Sequence, residues 1–442
     1  MLPLTMKIKH ASLYIISLFF FLSLIPFIDN YFVGLYNEKR AFQVIALLLS
    51  LAFIPKLSLD KKYHSILFLL VFCVSFSLLF SENKLQAILN FLHFTMLISF
   101  INLGFNLKDN VSKFFLLLFF CNLFVVSFSL LNYLFYYIDE IPPNPDGVLY
   151  GFYNIRFFNQ FQVLCIPFVV HFLRNNKISR IATTLLVFNI FLLFISGARG
   201  ALLSCIIMLA LSGYLKLIDR ATLFKIFYCC LISLFLFIFH VWANPTSESL
   251  NNISRISSSN RVDIWFDLIS QLSISNFIIG NGPGVYFTPS LGNSHPHNSF
   301  LQLLYNWGGM ITVITLFFLF NLFKVCTFYI KNYNSEAEFN ICFLALSGLI
   351  TYSFVSGVIV MPIPQTFIFV LIGLILSYLP INIQISPKSV IKSVGYFSLS
   401  TFYIFFVIIS YNCLNSKPYG PNFWSNGQLS FSQCKLPYNK GN

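Results

Sequence analysis

Charged side chains are scarce in this sequence of 442 residues: they make up 9% of it, against roughly 25% in soluble domains. A water-soluble fold is therefore excluded. The sequence also lacks internal repeats, low-complexity tracts and any stretch that could form a soluble domain. It is instead rich in apolar residues, since 57% of the chain is hydrophobic, 19% is aromatic and 56 residues are phenylalanine.

Apolar runs recur from one end of the chain to the other, and most are long enough to cross a hydrocarbon core of about 30 Å as a helix. The runs are continuous rather than alternating, which favours helices over a β-barrel. The sequence thus predicts an all-α, polytopic integral membrane protein with 12 or 13 transmembrane helices and a large polar loop at 244–299. The predicted spans are 11–29, 41–55, 65–80, 87–104, 114–138, 159–173, 181–196, 201–217, 226–243, 300–323, 341–361, 366–380 and 396–412.

Basic residues predict the orientation. Lys7 and Lys9 precede the first span, and no small-residue cleavage site follows it, so we expect a retained anchor with a cytoplasmic N-terminus. With that orientation, 17 of the 27 Lys and Arg residues fall on the cytoplasmic side, including Lys7 and Lys9, and the loop 244–299 faces outward. The net charge of +13 is then mostly an insertion signal, and no nucleic-acid partner is expected.

Cysteine usage gives little indication of function. Eight of the ten cysteines lie in or beside apolar spans, where a thiol usually acts as a small hydrophobic group. No spacing suggests a metal site. Cys413 and Cys434 bracket the outward tail, and an oxidising compartment could pair them. Two free thiols are the alternative.

The first polar cluster is the motif Ser-Gly-Ala-Arg-Gly-Ala at 196–201, between the seventh and eighth predicted spans at the outer face. Gly197 and Gly200 would let the backbone approach a ligand closely, and the helix that starts here offers free N–H groups and a positive dipole end. Arg199 could grip a phosphate through two parallel hydrogen bonds. The alternative is a tight helical hairpin whose arginine reaches lipid headgroups.

The second cluster surrounds Arg261 in the long outward loop. Arg261 lies at the start of the stretch 260–278, whose helix-like periodicity predicts an amphipathic helix on the membrane surface. Arg261 would lie near the lipid interface, where it could hold a lipid-linked phosphate or pair with Asp263. Arg255 is a weaker candidate, and the glycine-rich run at 280–284 predicts a turn.

The third cluster is His295 and His297, followed by Asn298, where the loop re-enters an apolar run. Imidazole has an unperturbed pKa of about 6.5, so it can take a proton from a hydroxyl near neutral pH. A metal site is an alternative, but the loop has no third His or Cys, so none is expected. Loop capping is another. We favour acid–base or acceptor-positioning chemistry, with His297 as the catalytic residue and His295 as structural support.

The fourth cluster is Asn154, Arg156, Asn159 and Gln160, where the outward loop 139–158 enters the sixth span. Amides and an arginine at the mouth of a membrane span suit contacts with a sugar or a pyrophosphate. The same residues suit simple helix capping equally well.

These clusters resemble the O-antigen ligase/polymerase superfamily, most strongly over about 185–320. The resemblance rests on the order of several motifs, since each motif alone is weak. In chain order they are Ser-Gly-Ala-Arg-Gly-Ala at 196–201, Arg261 with Trp265, the three glycines Gly280, Gly282 and Gly284 with Tyr286, His297-Asn298 with Phe300, Leu301 and Gln302, and Trp307-Gly308-Gly309.

Members of this family move a glycan from an undecaprenyl-pyrophosphate carrier to an acceptor at the periplasmic face of the bacterial inner membrane, without a metal ion or another cofactor. The resemblance implies that Arg199 and Arg261 hold the pyrophosphate. It also implies that His297 orients or deprotonates the acceptor hydroxyl. Substrate contacts are expected from Asn154, Arg156, Gln160, Gly197, Gly200, His295, Asn298 and Gln302.

The acceptor stays open at the level of the sequence. An O-antigen ligase would use lipid A–core, an O-antigen polymerase another lipid-linked glycan, and a protein O-oligosaccharyltransferase a Ser or Thr of a pilin or other exported protein. Ligase-type transfer is favoured, with protein glycosylation close behind. The Gly-x-x-Thr element at 309–312 fits the family pattern one residue late, which leaves the acceptor subclass undecided.

The rival class is a glycolipid transporter or flippase. Transporters usually place ionisable residues at mid-membrane or show inverted repeats. Here the predicted span interiors hold only the scattered histidines His93, His171 and His240, and Arg199 lies at an outer rim. We therefore favour the transferase, with membrane lipids as its other partners.

The expected organisation has four parts. Residues 1–184 form N-terminal transmembrane helices with the periplasmic loop 139–158, and 185–320 form the ligase-like core with the periplasmic loop 244–299. C-terminal transmembrane helices follow at 321–412, and 413–442 form a periplasmic tail.

Overall fold

The fold is all-α and polytopic, as the sequence predicts. The computed structural model describes residues 4–25, 34–54, 57–58, 64–141, 143–152, 154–244, 260–284, 286, 295–333, 335–380, 384–385, 390–411 and 423–425. Cys413, Cys434 and Arg255 lie outside these residues, so the disulfide and the weaker arginine candidate stay predictions.

Within the described residues the α-helices are α1 (Leu4–Leu24), α2 (Leu35–Phe53), α3 (His64–Phe80), α4 (Lys84–Phe105), α5 (Val111–Ile138), α6 (Pro145–Val148), α7 (Ile155–Phe172), α8 (Ser179–Ile195), α9 (Arg199–Tyr214), α10 (Arg220–Ala243), α11 (Arg261–Ser270), α12 (Ile274–Ile279), α13 (Ser299–Asn332), α14 (Ala337–Ser353), α15 (Pro362–Tyr378) and α16 (Val390–Tyr411). Short 3₁₀ helices span Lys108–Asn110 and Val358–Val360. Two short strands, β1 (Leu57–Ser58) and β2 (Gln384–Ile385), pair antiparallel.

Every predicted span overlaps one long helix, while α6, α11 and α12 are short helices between spans. By length and composition, five of the described helical segments could cross a membrane on their own: α4, the segment Lys108–Ile138 that contains α5, α7, α10 and α13. Seven shorter apolar helices accompany them. The protein is therefore a multi-pass membrane protein.

Segments from distant parts of the sequence meet at two opposite ends of the helix bundle. At one end, Lys39 Nζ donates to the Gly151 carbonyl oxygen over 2.6 Å. At the other, Lys108 Nζ donates to the Ser377 carbonyl oxygen over 3.1 Å. We call the end that carries Gly151 the site end. The described parts of the segments predicted to face outward lie there, as an up-and-down arrangement of the spans requires.

Helices α4 and α15 pack so closely that their backbones touch. A Cβ placed at Gly104 of α4 would lie 2.0 Å from the Val370 carbonyl oxygen, and one placed at Gly373 of α15 would lie 2.0 Å from the Ile101 carbonyl oxygen. Small residues allow this approach, and van der Waals packing holds helices together where lipid provides no hydrophobic drive.

Replacing Gly373 by alanine should therefore force α4 and α15 apart. Overpacking of this kind lowers the free energy of unfolding by about 1–3 kcal/mol, which thermal unfolding in detergent would detect. Gly395→Ala in α16 is the matched control, because a Cβ there meets no atom within 4 Å. Equal unfolding midpoints for the two variants would contradict the close packing.

Helix α2 begins earlier than predicted. The span was expected at 41–55, with Lys39 and Arg40 in an outer segment, but α2 starts at Leu35 and both side chains are buried, Arg40 to 1% exposure. The pattern of apolar residues missed this because the neighbouring helices and loops, rather than water, supply hydrogen-bond acceptors to these cations.

The predicted span 341–361 also differs from the structure. Helix α14 ends at Ser353, and 354–361 leave the α-helix and include the 3₁₀ turn Val358–Val360. We call residues 356–360 the hinge segment. Gly357 and the proline that opens α15 at Pro362 are the local reasons for the break.

Candidate functional site

The fourth cluster and the third meet at the site end of the bundle. The Asn154 side chain caps α7 by accepting hydrogen bonds from the backbone N–H groups of Arg156 and Phe157, so the capping alternative holds for Asn154. The cap places Arg156 in the first turn. Its Nη1 lies 2.6 Å from Nε2 and 3.0 Å from Nδ1 of His297, 141 residues further along the chain.

The loop that carries the two histidines is held at several points. Nδ1 of His295 accepts a hydrogen bond from the His297 backbone N–H over 2.8 Å, and the Trp265 indole donates to the Pro296 carbonyl over 2.8 Å. Asn298 caps α13. His297 itself has a φ of 53°, a left-handed conformation that is uncommon outside glycine. The loop thus presents the His297 ring in one fixed direction.

Both imidazoles are held neutral. Burial and the positive charge of Arg156 lower the pKa of His295 to about 3. Desolvation, Arg156, His295 and Arg261 lower the pKa of His297 even further. Arg156 is a permanent cation that can only donate hydrogen bonds. The His297 ring nitrogen that it faces must therefore be the unprotonated one, which accepts. In this state the His297 ring is a weak base with its lone pair engaged.

This neutrality predicts an acid-sensitive fold. A histidine with a lowered folded-state pKa binds fewer protons folded than unfolded, so stability is complete above about pH 6.5 and is lost as the pH falls toward the folded-state value. For His295 the window runs from about 6.5 down to about 3. Each such imidazole removes about 1.4 kcal/mol per pH unit.

His295→Asn tests this, since an asparagine oxygen can still accept from the His297 backbone N–H. We expect thermal unfolding midpoints of the wild type to fall more steeply with acidification than those of His295→Asn. The comparison runs from pH 7.5 to 4.5 in detergent. Parallel profiles would rule out a neutral, buried His295.

Segments beyond the predicted clusters complete the site. Gln160 Nε2 donates to Ser356 Oγ over 2.8 Å. The hydroxyl of Tyr352 is hydrogen-bonded to Ser356, and Arg261 and Arg156 are close enough to act on it electrostatically. The ring of the same tyrosine lies against Gly200, where a Cβ would be 3.1 Å from its Cε2 atom.

Tyr352 therefore lies where the arginine clusters meet the 196–201 turn. This turn begins α9, with Gly197 at a φ of 59°. Ser196 Oγ donates to Asn159 Oδ1 over 3.1 Å, which ties the turn to α7. Arg199 is half-buried at the N-terminus of α9. Gln302 is buried on the first turns of α13, beside His295.

The sequence did not reveal Tyr352, Ser356 or Gly357. All three fell inside the predicted span 341–361, whose apolar composition concealed the break. The pair Ser356-Gly357, with a proline five residues later, was the turn signal that could have found them.

The predicted amphipathic stretch 260–278 is helical in two pieces, α11 and α12. Ser273 caps α12, and its hydroxyl accepts from the Asn276 backbone N–H, which starts a new helix rather than continuing α11. Exposed Phe266, Ile269 and Ile274 give this region an apolar surface suited to a lipid interface. In the described parts of the chain, no group of three or more His, Cys, Asp or Glu side chains could hold a metal ion.

The fold and the site define a multi-pass helical membrane protein with arginine, histidine and tyrosine side chains gathered at one end of its bundle. Residues 184–320 match the family model described as O-Antigen ligase. This match confirms the resemblance over this part of the chain, and it supports an O-antigen ligase/polymerase-type function in general terms. No curated protein matches the chain.

Proposed function

We propose that the protein transfers a glycan from undecaprenyl pyrophosphate to an acceptor at the periplasmic face of the bacterial inner membrane, without a metal ion, and that the acceptor is lipid A–core. The convergence of Arg156, Arg261 and His297 at one end of the bundle supports this most directly. The proposal includes a cytoplasmic N-terminus and the four-part division of the chain given above.

Arg199 and Arg261 hold the pyrophosphate in this proposal. Negative charge develops on the leaving pyrophosphate, and fixed cations outside bulk water stabilise such charge strongly. Arg199 begins α9, so its phosphate ligand would also meet the positive end of that helix. Gly200 lets the start of α9 pack closely, because a Cβ there would lie 2.8 Å from Val355 Cγ2 and 3.1 Å from Cε2 of the Tyr352 ring.

An apolar cavity of about 270 Å³ supports a lipid-linked donor. Among its lining residues are Leu193, Phe194, Leu202, Ser212 and Leu344, from α8, α9 and α14. It begins one turn from Arg199 and follows α9 from Leu202 to Ser212, about 15 Å at the helical rise. An isoprenoid chain could lie in this cavity with its pyrophosphate at the 196–201 turn.

His297 acts on the acceptor. When the anionic donor arrives, it competes for the Arg156 guanidinium and frees the imidazole lone pair. The acceptor hydroxyl oxygen then attacks the anomeric carbon while its proton passes to His297. The bond from that carbon to the pyrophosphate oxygen breaks, and its electron pair leaves with the pyrophosphate. In-line attack inverts the anomeric centre.

The test is transfer in vitro with purified protein, undecaprenyl-pyrophosphate glycan and EDTA. Lipid A–core, a pilin and a second lipid-linked glycan are offered as separate acceptors. Glycosylated lipid A–core in EDTA supports the proposal. Product with the pilin or the lipid-linked glycan alone would instead identify a protein O-oligosaccharyltransferase or a polymerase. Movement of glycolipid across liposomes with no glycosidic bond formed would overturn the transferase assignment.

A further inference from the structure

A second buried polar network lies at the site end, around Arg40 of α2. The guanidinium is 1% exposed and every one of its N–H groups faces an acceptor. Nε donates to the Phe423 carbonyl oxygen over 3.0 Å. Nη1 donates to Gln365 Oε1 over 2.7 Å and to Gln43, and it lies 2.8 Å from His93 Nε2. Nη2 donates to the Tyr36 hydroxyl over 2.9 Å and to the Val360 carbonyl oxygen.

These partners are amides, hydroxyls, carbonyls and an imidazole rather than carboxylates. A guanidinium carries five N–H donors, and here the protein itself engages all of them, so Arg40 has none left for a ligand. Burying a cation is costly, and ionisable residues within membrane proteins usually mark a function. The arrangement suits a residue that holds other parts of the protein in place.

The part that Arg40 holds is the hinge segment, 356–360. The Val360 carbonyl accepts from Arg40 and also from the Tyr36 hydroxyl over 2.8 Å. The neighbouring Ile359 carbonyl accepts from Gln365 Nε2 over 2.7 Å, and Gln365 is itself a partner of Arg40. One end of the hinge segment is therefore fixed by the buried network.

The other end of the hinge segment touches the candidate site. Ser299 Oγ donates to the Ser356 carbonyl over 2.9 Å, and Ser299 begins α13 two residues after His297. Gly357 lies against the His295 ring, where a Cβ would be 2.2 Å from Nε2. Any shift of the hinge segment would therefore reach both histidines.

We propose that Arg40 is a positioning residue that fixes the hinge segment and, through it, the His295–His297 loop in the arrangement that glycan transfer requires. This inference rests on the proposed function. Arg40→Lys keeps the charge but replaces a rigid fork of donors with a single ammonium group, which cannot hold α2, α15 and the hinge segment together.

Two measurements test the proposal. Hydrogen exchange should show the amides of 356–360 and 297–299 exchanging at least about tenfold faster in Arg40→Lys than in the wild type, because fixed segments open rarely. In transfer assays, kcat should fall at least about tenfold with little change in the donor KM, because the substrate-binding arginines keep their own contacts.

Ser299→Ala provides the coupling test, because it cuts the link between α13 and the hinge segment. The double variant with Arg40→Lys should be little worse than the more impaired single variant, since both act through one segment. Ser50→Ala is the matched control on α2: its hydroxyl donates to the Ser99 carbonyl over 3.0 Å, away from the hinge segment. Its exchange and kcat should match the wild type.

Tyr36→Phe is the milder variant if Arg40→Lys does not fold, since it removes one hydroxyl from the Val360 carbonyl. It should change exchange and kcat in the same direction by a smaller factor. Unchanged exchange of the hinge segment in both variants, or fully additive effects with Ser299→Ala, would overturn the proposal. A wild type without transferase activity would refute the proposed function alone, because exchange is measured without substrate.

Discussion

Arg199→Ala is expected to abolish glycan transfer while the protein still inserts and folds. Removing one fixed charge or donor that stabilises a developing anion typically costs about 10²–10³ in kcat, and in the proposed mechanism the lost group also helps to hold the pyrophosphate. Arg199→Lys should be poor as well, because an ammonium cannot form two parallel hydrogen bonds to a phosphate.

The measurement is initial transfer rate with undecaprenyl-pyrophosphate glycan, at equal amounts of protein in the membrane. Arg220→Ala is the matched control, since Arg220 begins α10 as Arg199 begins α9, but at the opposite end of the bundle. It should transfer at the rate of the wild type. Full activity of Arg199→Ala, or an equal loss in Arg220→Ala, would remove Arg199 from the site.

His297→Ala is the second variant with a large expected effect, a loss of about 10²–10⁴ in rate if the imidazole takes the proton. Alanine is also strained at a φ of 53°, so a loss alone would not isolate the chemistry. His297→Asn does so. Asparagine tolerates the left-handed conformation and can still accept from Arg156, but it cannot take a proton.

Transfer rates of the two variants, with thermal unfolding as the folding control, decide the role of His297. Loss in both, with normal unfolding midpoints, supports proton transfer. Activity retained in His297→Asn and lost in His297→Ala would restrict His297 to orienting the acceptor. Activity retained in both variants would contradict the assignment of His297 as a catalytic residue. His295→Asn should retain most of its activity near neutral pH, because it keeps the contact that supports the loop.

Much of the fold was predictable because a membrane imposes strict rules. Each backbone polar group must be satisfied within its own helix, so long apolar runs predict helices. Each of the thirteen predicted spans overlaps a long helix of the structure, although the bounds of α2 and α14 differ from the predicted ones. Asn154 and Asn298 each precede a helix and cap it, a role that the sequence left open as an alternative. The motif order around Arg199, Arg261 and His297 predicted the family.

The sequence by itself thus determined a helical membrane protein, its spans and the polar clusters at their ends. Only the tertiary structure decided which residues meet. The contact of Arg156 with His297, the packing of Tyr352 against Gly200, and the burial of Arg40 join residues far apart in the chain. Hydropathy shows whether a segment favours lipid or water as its surroundings. Which helices touch depends on the shapes of their surfaces, such as the glycines that bring α4 against α15, and no local pattern carries that information.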